Sequence, residues 1–549
     1  VSIINLKINK MKMKKIYLFM VFALIGFSAK LSGQTIIIKD SVATSQTWTN
    51  NHIYLIQGFV YVVNGVTLTI EPGTIIEGDH TFTGSSLIIE RGAKINAIGT
   101  PSQPIVFTSD MPAGSRSRGD WGGLILCGKA PINSAGGQAQ IEGGPRSYYG
   151  GSDPADNSGT LQYVRIEFAG YPFQANKEIN GLTHGGVGNG TTEDHIQVSY
   201  ANDDSFEWFG GTVNCKYMIA FRGYDDEFDT DFGYSGKQQF CIGLRDSAVA
   251  DISGSNGFES DNDATGSSNT PYTTALFANV GLFGPKVDMT NPVNPLFKRA
   301  VHIRRNSRMS CYNSVFAGWP TGLYIDGDAT DANANNNDLQ IENCIMSGMG
   351  KFFDVPSGQI WSAGTARGWY GDASRHNDTL ATNGLLMITN PFNYTAPNFV
   401  PLVGSPVLGK ALWTNARLAS DPFFDKVTFA GPMGSTDWTS TWANWDPQNT
   451  VYTPSSSVKE NILTIDKINV YPNPSSGSTS IDFNLIKEET VKVEVLDITG
   501  RIVMTLENGY MIAGQHHLTF DASSLSNGAW FIKITTSASS TTKKLFILN

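Results

Sequence analysis

Between residues 202 and 263 the chain sets an aromatic ring beside an acid three times: Asp203-Asp204-Ser205-Phe206-Glu207, Asp225-Asp226-Glu227-Phe228-Asp229 and Ser255-Asn256-Gly257-Phe258-Glu259. The intervals are 22 and 30 residues. Neighbouring residues of a strand face opposite ways and residues two apart share a face. Phe206, Phe228 and Phe258 are therefore predicted on one side, and Glu207, Asp229 and Glu259 on the other. Stacked strands of a coil produce this pattern, with an apolar ladder inside and a carboxylate column outside.

Two further repeats point the same way. Leu68-Thr69-Ile70-Glu71-Pro72-Gly73-Thr74-Ile75-Ile76 is echoed 19 residues later by Leu87-Ile88-Ile89-Glu90-Arg91-Gly92-Ala93-Lys94-Ile95, alternating apolar positions with a glycine at the corner. Asn279-Val280-Gly281-Leu282-Phe283-Gly284, Asn313-Ser314-Val315-Phe316-Ala317-Gly318 and Asn343-Cys344-Ile345-Met346-Ser347-Gly348 place Asn, apolar residues and Gly in one order. Asparagine tolerates the left-handed backbone of a tight corner, and stacked asparagines are expected to bond from rung to rung. A β-sandwich of evenly spaced strands is the rival, but a sandwich does not repeat Gly and Asn at equivalent turns. The Trp-rich stretch from Phe423 to Tyr452 follows the last repeat and is predicted to cap the final rung's open edge.

After Thr450 the composition turns to Ser, Thr and Pro, as in a linker, and then alternation returns. Ile481, Phe483 and Leu485 alternate with polar residues, as do Val491, Val493 and Val495, and turns are marked at Thr499-Gly500, Asn508-Gly509 and Asn527-Gly528. This spells a small antiparallel β-sandwich. The chain thus divides into residues 1–33, a solenoid with its cap over 34–452, a linker over 453–466 and a sandwich over 467–549.

Residues 1–33 hold six lysines and no acid; Lys12, Lys14 and Lys15 precede the apolar run Ile16 to Phe27, which is too short to span a bilayer. This predicts a secretory signal peptide, cut after Gly33. Removing its six charges from the formal −10 leaves −16, which argues against nucleic acid and anionic membranes as partners and for cations or neutral glycans. No later stretch is apolar enough to cross a membrane. The five cysteines (127, 215, 241, 311, 344) lack metal-type spacing and are read as small core residues, with Cys215 and Cys241 the pair to inspect for a disulfide.

The run Asp203 to Lys216, the later Gly257-Phe258-Glu259-Ser260-Asp261-Asn262 and Val301-His302-Ile303-Arg304-Arg305 resemble a family of secreted right-handed parallel β-helix proteins of Bacteroidetes, over roughly residues 45 to 450. That resemblance implies a fold and no catalytic residues. The end of the chain resembles the type A sorting domain of the type IX secretion system. The features that carry it are Tyr471-Pro472-Asn473-Pro474, Gly500-Arg501, Asn527-Gly528-Ala529-Trp530-Phe531 and Lys543-Lys544-Leu545. It implies type IX export, removal of this domain by a cut around Thr453 to Ile465, and either attachment to surface lipopolysaccharide or release.

Chemistry is expected first at the carboxylate column. Like charges one strand spacing apart repel by roughly 1 kcal/mol in water and several-fold more where water is excluded. Ca²⁺ would offset this, since it takes six to eight oxygens in irregular geometry. Glu207, Asp225, Asp226, Asp229, Asp231, Glu259 and Asp261 are the candidate ligands, with Arg222 and Arg245 the alternative source of compensation. Trp208, Phe209, Tyr217 and Tyr224 are candidates for stacking on sugar rings; His302 and Arg304, outward together on one strand, are read either as contacts for a sugar acid or as charge balance. The function expected is a noncatalytic adhesion, glycan-binding or structural surface protein. The alternative is a cation-dependent polysaccharide lyase, in which Arg222 or Lys216 serves as the base beside Asp225, Asp226 and Asp229, or a glycosidase that works through paired carboxylates.

Overall fold

The computed structural model describes residues 34–173, 177–288, 290–454, 465–536 and 540–548. The expected signal peptide and residues 455–464 of the expected linker lie outside them. The chain forms two compact units, Val1–Ser455 and Ser456–Asn549.

The first unit is a parallel solenoid, its strands hydrogen-bonded into one 26-stranded sheet that winds around a continuous apolar interior. One side is the ladder Ser86–Ile89, Gly123–Cys127, Leu182–Gly185, Phe206–Phe209, Phe228–Asp231, Phe258–Ser260, Arg299–Ile303, Thr321–Ile325 and Lys351–Asp354. The register sets Phe206 on Phe228 and Phe228 on Phe258. Inside, Phe206 stacks on Phe228 at 5.5 Å and Phe258 packs tilted on Phe228 at 5.8 Å, so the intervals of 22 and 30 residues are true rung lengths. The 19-residue echo is not a rung length. Leu68 pairs with Ile95, whereas Leu87 belongs to a different side of the coil and pairs with Leu124. The strand–corner unit recurs around a turn as well as along the axis, and Gly73 and Gly92, at φ 77° and 82°, both turn corners.

The other two sides meet at a one-residue bend. Gly159–Glu167, Thr192–Ser199, Asn214–Phe221, Lys237–Leu244 and Leu276–Phe283 each break their pairing at Tyr163, His195, Tyr217, Phe240 or Asn279. These five, with Asn313 and Asn343 on the next rungs, have φ between 50° and 61°. The early rungs accept the strain of the left-handed conformation by stacking rings outward, Tyr163 on His195 on Tyr217 on Phe240 at 4.4, 4.4 and 5.0 Å. The later rungs use asparagine, which tolerates it. The asparagines do not bond to one another as expected: Asn279 Nδ2 donates to the Phe429 carbonyl, and Asn313 exchanges two hydrogen bonds with the backbone of Leu412.

Phe429 belongs to the Trp-rich stretch and Leu412 to the segment that leads into it; together they form a strap that does not cap the last rung. It runs back along the flank of the coil. Asn415 binds Glu342, Asp425 exchanges two bonds with Gln239, Asn444 exchanges two with Gln197, and the Tyr452 hydroxyl donates to Glu167 at 2.6 Å. Side-chain amides at the bends thus offer this strap a donor and an acceptor, as a neighbouring strand would, and Trp438 and Trp442 cover the outward rings. The strand Lys351–Asp354, last of its ladder, is packed instead by helix Ala363–Tyr370, opened by a Ser362–Thr365 capping box, with Tyr370 against Phe353 at 5.3 Å. All five cysteines are buried and free; the Cys215 thiol donates a hydrogen bond to Glu193, which also meets the buried His184 at 2.9 Å.

The second unit is a sandwich of a three-stranded and a four-stranded antiparallel sheet. Ile481, Phe483, Leu485, Val491, Val493 and Val495 fill its core. Asn473 closes it: Nδ2 donates to the Lys544 carbonyl at 2.8 Å and Oδ1 accepts from the Phe546 N–H at 2.9 Å. Tyr471 donates to Asp482, Gly500 turns with φ 84° beside the Arg501–Asp497 pair, and Leu545 is buried while Lys544 lies over Phe546.

Candidate cation site on the outer face

The inward rings fix the outward acids. With Leu182, Phe206, Phe228 and Phe258 in register inside, the next residue on each strand points out, giving Thr183, Glu207, Asp229, Glu259 and then His302 in one line. Two residues ahead of each ring, the corners bring in Asn180, Asp204, Asp226 and Asn256. These corners are linked from rung to rung: the Asp226 N–H donates to Asp204 at 2.8 Å and the Asn256 N–H to Asp226 at 2.5 Å. An aspartate that captures the next rung's amide is held in place without a counter-charge.

The result is a two-row array. Oxygens of Asp203, Asp204 and Asp225, of Asp204, Glu207 and Asp229, and of Asp226, Asp229 and Glu259 each converge within 4.8 Å. The array is far less exposed than a solvated acidic face: Glu207 retains 7% exposure and Asp226 4%. Burial, then neighbouring acids, hold Asp203, Asp204, Glu207, Asp226 and Asp229 far above the usual carboxylate range. Burial pushes Asp225 up to about 7, moderated by a hydrogen bond from Ser253.

Compensation comes at one end, from the following rung. His302 Nδ1 meets Glu259 at 3.1 Å and Arg304 binds both Glu259 and Asp261. Burial works to raise Glu259, but the His302 bond and the Arg304 charge outweigh it and keep its carboxyl below the ordinary value. The charge-balance reading of His302 and Arg304 is the one their contacts match. Arg222 does not supply compensation; it pairs with Asp246 at 2.9 Å and lies against Tyr200 and Tyr394. Arg245 is fully buried on Glu227 and the carbonyls of Tyr224 and Asp225. Lys216 reaches Asp425 of the strap.

Of the seven acids expected as ligands, Glu207, Asp225, Asp226, Asp229 and Glu259 come together. Asp231 accepts from the Phe232 N–H, and Asp261 is taken by Arg304 and Arg305, so these two stand apart from the convergent groups. Trp208 has no exposure and stacks on His184 inside the coil at 5.1 Å, so it cannot meet a glycan. Tyr217 is at the bend beneath Trp438, Phe209 is buried against Tyr149, and Tyr224 is half-buried. Asp203, Asp204, Asn180, Thr183 and Asn256 were not among the expected ligands. Their signal was legible, since Asn180-Gly181-Leu182-Thr183 has the same small-and-polar frame as Asp204-Ser205-Phe206-Glu207.

The donor set suits a hard divalent cation. All ligand atoms of the three groups are carboxylate oxygens, and Asn180 Oδ1, Asn256 Oδ1, Thr183 Oγ1, Asp225 Oδ1 and Asp229 Oδ1 are buried without a hydrogen-bond partner. Hard oxygens in irregular positions match Ca²⁺ better than a softer, tetrahedral metal. Glu207, Asp229 and Asp204 would hold such an ion, and the unpartnered amide and hydroxyl oxygens are distributed along the same face.

Comparison with known proteins agrees with this architecture. A family model for a secretion system C-terminal sorting domain matches residues 469–548. The protein is therefore routed through the type IX machinery to the cell surface or the extracellular space. No curated protein matches the chain. Among solved structures, an engineered protein determined at 1.98 Å aligns at 15% identity and a TM-score of 0.12, over 50% of this chain and 54% of its own. The alignment spans about half the length of that structure. The model of the pectate-lyase-like β-helix domain matches residues 40–362, well over half of the sequence, and the chain belongs to that family.

Proposed function

We propose that the exported solenoid is a noncatalytic adhesion or structural module of the cell surface whose outer acid array holds divalent cations, Ca²⁺ foremost. The observation that carries this reading is the meeting of Asp204, Glu207 and Asp229 oxygens within 4.8 Å, under cover, without an ion pair among the described residues. At an effective dielectric constant near 20, each such neighbouring pair repels by about 3 to 4 kcal/mol, which a bound dication reverses. A lyase needs an uncommitted base beside the metal-bound sugar acid. Arg304 and His302 instead spend their N–H groups on Glu259, Asp261 and Asp326, and this favours holding an ion over abstracting a proton.

Calorimetric titration of the mature protein with Ca²⁺, and melting with and without chelator, test the cation. Heat and a raised melting temperature are expected, and a silent titration removes the ion. Incubation with a panel of acidic polysaccharides, with Ca²⁺ present, tests the rest. Unsaturated products would replace the noncatalytic reading with the lyase.

A further inference from the structure

We propose that a basic pocket lined by Asn64, Glu90, Arg91, Arg146, Ser147 and Tyr148, with Lys129 next to Asn64 at its edge, binds one anionic sugar unit. It is a cavity of about 330 Å³ beside the early rungs, at the lower end of the range for small-molecule pockets. Its charge runs against that of the protein. In a chain of formal charge −10, two arginines line it with Lys129 beside them, against a single acid, Glu90, which pairs with Arg146.

The cations are held but not used up. Arg91 gives one bond, Nη1 to the Gly150 carbonyl at 3.0 Å. Arg146 lies over the Tyr61 ring, 4.1 Å from its centroid, and gives only Nε to Glu90 at 3.2 Å, leaving both terminal nitrogens without a partner among the described residues. Lys129 has no ion pair among them and is exposed. Its ammonium and Asn64 Oδ1 meet over Gly92, where an added Cβ would come within 2.8 and 2.3 Å of them. Any side chain at position 92 would fill the space that brings these two heads together.

The remaining groups are those a sugar ring needs. Glu90 Oε1 takes Arg146 and Ser147, which leaves Oε2 to accept a sugar hydroxyl. Asn64 adds a donor and an acceptor. Tyr148 is 51% exposed at the rim, with a free ring face and no partner for its hydroxyl among the described residues. Aromatic faces stack on the C–H face of a sugar ring, and guanidinium groups bind a carboxylate or phosphate through paired N–H groups. One ring with one negative group satisfies all of these contacts. None of them involves the acid array, so the pocket stands independently of the cation site.

The test uses the mature protein in chelator, so that the array contributes nothing, with glucuronate, glucose 6-phosphate and glucose as probes in ligand-observed NMR and calorimetry. Saturable binding of at least one anionic sugar is expected, with glucose at least tenfold weaker. The tighter of the two anionic probes identifies the group as carboxylate or phosphate. Arg91→Gln and Tyr148→Ala, both at solvent-accessible positions, are each expected to weaken that binding tenfold or more while leaving circular dichroism and melting unchanged. Absence of saturation by both anionic sugars, equal binding of glucose, or wild-type affinity in both variants would overturn the proposal.

Discussion

Glu207 and Asp229 are partners in one parallel register, both directed to the outer face, and neither has an ion pair among the described residues. Their rings of reference, Phe206 and Phe228, are locked in a 5.5 Å stack beneath them, so the acids cannot part without breaking the core. Replacing Asp229 by Asn keeps the shape and removes one charge. In chelator, Asp229→Asn is expected to melt higher than the wild type. In saturating Ca²⁺ the order should reverse, because the wild type gains about 2.7 kcal/mol at a hundredfold excess of ion over its Kd and the variant loses most of that. Paired melting curves check it, and a variant that melts lower in chelator would refute the repulsion.

The same array sets a pH dependence with a definite sign. Burial and neighbouring acids raise Asp204, Glu207, Asp226 and Asp229, and burial puts Asp225 at about 7. A raised carboxyl binds protons in the folded chain that it has already lost in the unfolded chain. Its contribution is therefore fully present below the unfolded value near 4 and is lost as pH climbs through the folded one. Chelated protein should lose stability steadily from about pH 4 to 7 and beyond, opposite to the usual salt-bridged carboxylate. Denaturant midpoints across this range measure the slope, and excess Ca²⁺ should flatten or invert it.

How much of this was legible in the sequence depends on which physical rule fixed each position. Strand alternation with Phe206, Phe228 and Phe258 gave both the ladder and the outer column, because in a buried coil a slip of one residue would turn every ring outward. The same rule, applied two residues on, places Trp208 inside; reading it as a sugar platform ignored its parity with Phe206. Asp203 and Asp204 sit at corners, where alternation stops and hydrogen bonds to the next rung's amides take over. Compensation by Arg304 and His302 rather than Arg222 depends on a pairing across 43 residues for both His302 and Arg304, which nearness in sequence cannot reveal. The flank position of the strap rests on amide pairs such as Gln197 with Asn444, 247 residues apart.

The bend tests the reason for asparagine. Asn313 has φ 52°; its Nδ2 donates to the Leu412 carbonyl and its Oδ1 accepts from the Leu412 N–H. Asn313→Gly keeps the conformation and loses the bonds, and should cost about 1 to 2 kcal/mol. Asn313→Val adds the penalty of a branched side chain in the left-handed region, a further 1 to 2 kcal/mol or so. Chemical denaturation of both variants separates backbone strain from strap binding; equal losses would mean that strain is not the reason for asparagine there.

Removing the strap's anchor should expose the flank. Trp442 is 1% exposed and meets His195 and Tyr163 edge-on at 5.4 and 6.0 Å. Trp442→Ala leaves a cavity worth about 3 to 5 kcal/mol. Hydrogen exchange of the variant should show faster exchange at the strap and at the strands Thr192–Ser199 and Asn214–Phe221 together. Loss confined to the strap would mean that it decorates the coil without supporting it.

In the sorting domain, Asn473 joins the two ends of the motif. Its amide spans the Lys544 carbonyl and the Phe546 N–H, and Ser475 continues the contact by donating to the Phe546 carbonyl at 2.8 Å and accepting from Leu548 at 2.9 Å. The early Tyr471-Pro472-Asn473-Pro474 run is thereby tied to the strand Ser540–Ile547 that presents Lys543 and Lys544. Asn473→Ala removes both amide bonds and should cost about 1 kcal/mol, exposed as they are. Asn473→Asp keeps the acceptor but sets a carboxylate against the Lys544 carbonyl, and should cost at least as much. Because the basic pair then sits on a fraying strand, export of both variants should fall while the solenoid's own melting is unchanged, read as the ratio of surface and medium protein to periplasmic protein. Replacing Lys543 and Lys544 by Gln leaves the strand tied and separates loss of order from loss of charge. Normal export of Asn473→Ala alongside failed export of the double Gln variant would show that charge alone is read.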